Sequence, residues 1–198
     1  VESHQITDSQ ICLEYTQGAA QYEPPVVIWC GPGWEPWTPD QIDGNGLGGS
    51  ETAVVRLAEE LVKRGSRVMV YAEAEGVWNG VYYRKYDKWN PHMPVWMFVA
   101  WRQPAVFDQP IQADQKVLWM HDVDAGPFLT EERAKKITTV WFLSRWHLSH
   151  MRQKYDFLGK DQVVVVGNGI EPERFDGSEE RANAIIYSSS PDRGLAQV

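Results

Sequence analysis

Gly44-Asn45-Gly46-Leu47-Gly48-Gly49-Ser50-Glu51 brings four glycines within six residues to the start of an amphipathic segment, TAVVRLAEELVKRG. A helix leaving such a turn presents N–H groups without intrahelical acceptors, together with the positive end of its dipole, and so offers a site for a phosphate or similar anion. Ser50 and Glu51 also have a structural use, as a hydroxyl cap and a carboxylate complementing the dipole. The glycines ask for more. A cap takes one residue, whereas close approach of a phosphate to the backbone takes several positions without a Cβ.

Read literally, Gly44, Gly46 and Gly49 spell GxGxxG, and Glu73 closes the next apolar run, where a dinucleotide fold keeps its ribose-binding carboxylate. An NAD site is therefore a rival. The spacing weighs against it, because thirteen residues, Gly31 to Asp43, separate Cys30 from Gly44, whereas the fingerprint's first glycine should close the strand directly.

His121-Asp122-Val123-Asp124 follows the apolar run VLWM. His121 at a strand's carboxyl end is a ligand contact or a histidine hydrogen-bonded locally. Asp122 and Asp124 spell DxD, which holds a divalent ion against a nucleotide diphosphate in metal-dependent transferases, and otherwise serves a turn or a helix cap. His147 and His150 share a helical face, but no further His or Cys lies nearby to complete a metal set, so a packed or solvated face is expected. Arg102 and Arg145 each follow an apolar run and can face an anion at the rim.

The elements that must position these groups are legible as a pattern. VVIWC (26–30), RVMVYAE (67–73), VWMFVAW (95–101), KVLWMH (116–121), TTVWFLS (138–144) and QVVVVG (162–167) alternate with helical stretches from about 50, in TEERAKK and in SRWHLSHMRQKY. Strands apolar on both faces, alternating with helices, predict an α/β fold with a parallel sheet covered on both sides. In the first helix Ala53, Val54, Leu57, Ala58, Leu61 and Val62 form the apolar stripe, Arg56, Glu59, Glu60, Lys63 and Arg64 the solvent face, and Gly65 the stop.

Residues 1–24 read as an extension or linker, and 25–176 as the main domain. A polar linker over 177–183 is followed by a fresh strand and helix start over 184–198, the opening of a second domain. An apolar strand there, without neighbours, is expected to dock on its own sheet or on another copy of the chain.

With 198 residues and 43% hydrophobic content the chain has room for one well-buried domain and little more. A net charge of -8 with no basic run excludes an electrostatically driven nucleic-acid binder. Two cysteines, Cys12 and Cys30, make no disulfide framework, and no apolar run suits a bilayer span, so a soluble cytoplasmic protein is expected. Ten tryptophans stand out. Those near loops and strand ends, Trp34, Trp37, Trp78, Trp89 and Trp101, can stack on sugar rings, although packing under loops is their commoner use. They add only slightly to a carbohydrate reading, and a non-catalytic carbohydrate-binding domain is the alternative that would use them.

Five segments in sequence, GLGGSETAVVRLAEELVKRGSRV, LWMHD, VWFLSRWH, VVGNGIEPERF and IIYSSSPDRGL, resemble the amino-terminal half of a GT-B glycosyltransferase of the retaining family 4, glycosyl transferases group 1. The resemblance covers roughly residues 26–195. It implies a Rossmann-like acceptor-side domain and the start of a donor-binding one, with a nucleotide-sugar as co-substrate, no cofactor and no metal. A sugar, glycan or lipid would be the acceptor. It further implies that Gly48 and Gly49 approach the donor diphosphate and sugar, and that Glu51 anchors their loop. His121 would contact the transferred sugar near the reacting centre, and Arg193 would neutralise the diphosphate. Asp122, Arg102, Arg145, Asn168, Trp34 and Trp37 complete the candidate substrate rim. The family's paired glutamates lie beyond the segments matched here, so the polypeptide alone is expected to lack transferase activity.

Overall fold

The computed structural model describes residues 24–33, 35–44 and 46–172. The chain divides into two compact units, Val1–Asn168 and Gly169–Val198, and of the second only 169–172 are described. The expected extension up to residue 23, the linker at 177–183, the strand at 184–188, Cys12, Trp34 and Arg193 all lie outside the described residues.

The first unit is α/β. Its strands are β1 (Val26–Trp29), β2 (Val68–Ala72), β3 (Gly76–Trp78), β4 (Val81–Lys85), β5 (Val95–Trp101), β6 (Ala113–Trp119), β7 (Thr139–Phe142) and β8 (Val163–Val165). They form one eight-stranded sheet in the order β3-β4-β2-β1-β5-β6-β7-β8, parallel except for the β3–β4 pair. The six apolar runs read from the sequence each supply a strand. The arrangement is compatible with a Rossmann-like sheet. The chain builds outward from β1 to β4, then returns to lay β5 on the other side of β1, so the order reverses between β1 and β5.

The β3–β4 hairpin has no counterpart in the sequence reading. Its strands are short, and it turns at Asn79-Gly80, both with positive φ (48° and 80°), the pairing that a tight hairpin demands.

Side-chain alternation splits the core into two faces. Val26, Ile28, Val68, Val70 and Val81 point to helix α1 (Gly49–Lys63). Val27, Trp29, Met69, Tyr71 and Phe98 point the other way, where the return path to β5 is paved by a chain of ring contacts, Tyr71 to Trp89 and Trp89 to Phe98, each at 5.2 Å. Each large side chain so buried contributes about 1.5–3 kcal/mol of transfer free energy.

Helix α1 ends as its sequence implies: Gly65 N–H donates to Val62 O (2.9 Å) and Ser66 N–H to Leu61 O (2.9 Å), a Schellman closure. Its polar stripe needs a correction. Glu59, expected in solvent, is only 5% exposed, and Val55 is buried beside it. Its carboxylate accepts from Asn79 Nδ2 and from Arg56 Nη1, both at 2.7 Å, so the hairpin turn packs over a face that would otherwise be wet. TEERAKK yields a single turn, α2 (Glu131–Ala134), and SRWHLSHMRQKY yields α3 (Arg145–Lys154), capped by the Ser144 hydroxyl accepting from His147 N–H.

Candidate functional site

A cleft of about 950 Å³ opens past the carboxyl ends of β1, β5 and β6, at the reversal of strand order where α/β sheets bind ligands. Register brings these ends level: Trp29 pairs with Ala100, and Trp101 with Trp119. The cleft is walled by the loop after β1, by the glycine turn, and by the loops after β5 and β6.

The long connection from β1 to α1 is folded rather than loose. A 3-10 turn, Pro39–Asp43, is closed by Thr38 N–H donating to Gln41 Oε1 (2.7 Å). Gln41 O then accepts from Gly44 N–H (3.2 Å) and Gly46 N–H (3.0 Å), which delivers the glycines to the cleft. Gly48 is the N-cap and the helix starts at Gly49. Ser50 therefore lies inside the first turn and does not cap it; its hydroxyl donates to Glu51 Oε2 (2.9 Å). The Glu51 carboxylate folds back over Gly48, where a Cβ would lie 2.3 Å from Oε2. No acceptor among the described residues meets the amides of Ser50 and Glu51.

The opposite wall is made of side chains. Arg102, at φ +66°, occupies the left-handed region, which is uncommon for a residue with a Cβ and concentrates at functional sites. Its Nε and Nη2 donate to the two Asp122 carboxylate oxygens, each at 2.6 Å. Its Cζ stands 4.9 Å from the Trp101 ring centroid, and Nη1 lies 3.9 Å from Glu51 Oε1. Arg102 thus links the β5 and β6 loops to the first turn of α1. Gln103, which the sequence did not single out, donates from Nε2 to Cys30 O (3.0 Å) and Pro32 O (3.1 Å) and ties the end of β5 to that of β1.

His121 is not on the cleft lining. Its ring packs at 4.6 Å from Trp119 and 6.0 Å from Trp101, centroid to centroid, and Trp101 is the residue that reaches the cleft. Burial, reinforced by the Arg102 charge, lowers its pKa from 6.5 to about 4, so the imidazole is neutral at physiological pH. Its Nε2 and the indole nitrogens of Trp101 and Trp119 are buried without a hydrogen-bond partner among the described residues.

The two aspartates of DxD have separate employments. Asp122 is held by Arg102. Asp124 accepts from Lys154 Nζ, from Tyr155 Oη (2.6 Å) and from Gly126 N–H (2.7 Å). These bonds hold its carboxyl well below the usual range, and burial followed by the Asp124 bond pushes the Tyr155 phenol up to about 12. Among the described residues no group of three or more His, Cys, Asp and Glu side chains gathers around a point. His147 is structural: Leu143 N–H donates to Nδ1 (3.3 Å), which places the proton on Nε2, 2.9 Å from Asp122 O. His150 stacks instead on Trp146, at 5.1 Å and 8°.

Trp37 lines the cleft, buried, with its ring 6.4 Å from Tyr83. Arg145, first residue of α3, and Asn168 are exposed and do not line it, and neither does Glu73, half-buried past β2. Glu35 and Phe128 do, and no spacing in the sequence marked them.

No model of a protein family matches the chain, and no curated protein matches its sequence. Among the described residues no helix is long and apolar enough to cross a membrane.

Proposed function

We propose that the described unit is the Rossmann-like, acceptor-side half of a nucleotide-sugar-dependent glycosyltransferase of the GT-B type, acting with retention and without a metal. The observation that carries the reading is the glycine turn: a 15-residue helix whose first amides find no acceptor among the described residues starts at a cleft at the switch point of a parallel sheet.

In this scheme Gly48 and Gly49 let the donor's diphosphate and sugar approach the backbone, and the amides and dipole of α1 stabilise the negative charge. Neutral His121, oriented by Trp101 and Trp119, stays uncharged beside Arg102. The bond from the sugar C1 to the leaving phosphate oxygen breaks as the acceptor oxygen bonds to C1 on the same face. The acceptor's hydroxyl proton passes to that phosphate oxygen, so no protein base is consumed.

The test is amide chemical-shift mapping of the full chain titrated with a uridine or adenosine diphosphate sugar. The expected result is shifts at Gly48 to Glu51 and at Arg102, unchanged by a chelator and not competed by NAD. Shifts confined to other surfaces, or none at millimolar donor, would sink the reading.

A further inference from the structure

The side-chain wall of the cleft stands on a loop with little backbone support. β6 hands over at Met120, whose N–H donates to Trp141 O (2.9 Å), and residues 121–124 beyond it make no backbone–backbone hydrogen bond among the described residues. Asp122 and Asp124 of that loop nevertheless line the cleft. What holds them is α3. Lys154, its last residue, and Tyr155 just past it both bond Asp124, and its first turn supplies His147 to Asp122.

His147 is 5% exposed and is engaged at both ring nitrogens. Leu143 N–H donates to Nδ1 (3.3 Å), the ring stands edge-on to Phe142 at 5.2 Å, and Nε2 lies 2.9 Å from Asp122 O. With Nδ1 accepting, the ring's proton is on Nε2 and points at that carbonyl. Holding the carbonyl fixes the backbone from which the Asp122 side chain leaves, and its two oxygens receive Arg102 Nε and Nη2 at 2.6 Å each. Arg102, at φ +66°, is anchored by its own N–H to Trp119 O (2.9 Å), with Nη1 3.9 Å from Glu51 Oε1.

We infer that His147 is a positioning residue for the cleft: it acts through Asp122 to hold Arg102 against the first turn of α1. It reaches no ligand itself. For the donor's binding this rests on the acceptor-side reading above; for the placement of Arg102 it does not.

Nitrogen-15 NMR of the full chain tests it. In the unaltered chain the His147 imidazole should carry its proton on Nε2, and Arg102 Nε–H should give a resolved, slowly exchanging signal. His147→Phe keeps a ring and removes both bonds, so the Arg102 signal should be lost to exchange with water while the amides of β1 and β2 stay in place. His147→Gln retains an N–H near the Nε2 position and should restore the signal, which a loss of packing alone would not allow. With nucleotide-sugar added, His147→Phe should raise the midpoint of the donor-induced shifts by about threefold to tenfold, and His147→Gln by much less. A proton on Nδ1, an Arg102 signal or a donor midpoint unchanged in His147→Phe, or a Gln variant as disturbed as the Phe one would overturn the inference. The tautomer is read in the unaltered chain, so the test stands even where His147→Phe does not fold. Absence of donor shifts in the unaltered chain would sink the glycosyltransferase reading and leave the Arg102 signal to decide this one.

Discussion

The two walls of the cleft are built on opposite plans. Along the start of α1 the cleft meets backbone at Gly46 and Gly48, and among the described residues no acceptor meets the amides of Ser50 and Glu51. Across the cleft it is side chain, an arginine in a left-handed conformation clamped to Asp122 and stacked on Trp101. The backbone wall suits a ligand whose charge is spread over several oxygens. The side-chain wall has already satisfied its own charges and offers shape. The wall that looks more reactive in a list of residues is thus the more committed of the two.

The walls diverge at Gly31, at the end of β1, and the largest expected effect is there. Its φ is +66°, and a Cβ would lie 2.7 Å from the Trp29 ring and 2.8 Å from the Gln103 amide. The amide can swing aside at the cost of its bonds to Cys30 O and Pro32 O; the buried indole cannot. Gly31→Ala should cost about 3 kcal/mol, from left-handed strain plus the clash, read by urea unfolding. A loss under about 1 kcal/mol would mean that the walls are joined elsewhere.

Next in size is the side-chain wall's response to acid. The folded state resists protonating His121, whose pKa falls from 6.5 to about 4, while the unfolded chain takes the proton at the ordinary value. The stability due to its neutral form is therefore complete above pH 6.5 and drains away as pH falls toward 4. The loss is on the order of 2 kcal/mol, allowing for solvent screening of its partly exposed edge. His121→Gln should flatten unfolding free energy over that window. An unchanged slope would show that the imidazole is solvated.

The difference between the walls also sets what the sequence could reveal. Apolar runs bounded by polar stretches specify a parallel sheet almost directly, because strands buried on both faces leave few other readings for VVIWC or VWMFVAW. Glycines announce the backbone wall, since several missing Cβ atoms in a row have few other uses. The side-chain wall is silent by comparison. That Arg102 closes on Asp122, twenty residues away, follows from the parallel register of β5 and β6, and Gln103 bridging to Cys30 O follows from that of β1 and β5. The same blindness put Glu59 in solvent: nothing within α1 tells that a hairpin turn will bring Asn79 over it.

Arg102 separates strain from pairing. Arg102→Ala removes the bidentate pair and the ring contact while keeping a Cβ at φ +66°, and should cost about 1–2 kcal/mol. Arg102→Gly loses the same contacts without the left-handed penalty, and should be more stable than the alanine variant by about 1 kcal/mol. Equal stability of the two variants in denaturant titrations would argue that the left-handed backbone is not strained.

The smallest change in stability falls on the backbone wall, and its sign is the informative part. Gly49 is the first helical residue, its φ is not positive, and nothing lies within 4 Å of where a Cβ would stand. For the fold alone, Gly49→Ala should be neutral or stabilising by up to about 0.5 kcal/mol, since alanine gives up less backbone freedom than glycine on entering a helix. For a ligand that must touch the amides behind it, the added methyl stands in the way. A variant that unfolds no more readily than the parent, yet whose Ser50 and Glu51 amides no longer shift with nucleotide-sugar, would show that the empty space over Gly49 serves binding rather than folding. A variant that is both as stable and as responsive would take the phosphate away from this turn and leave the glycines as a matter of chain geometry.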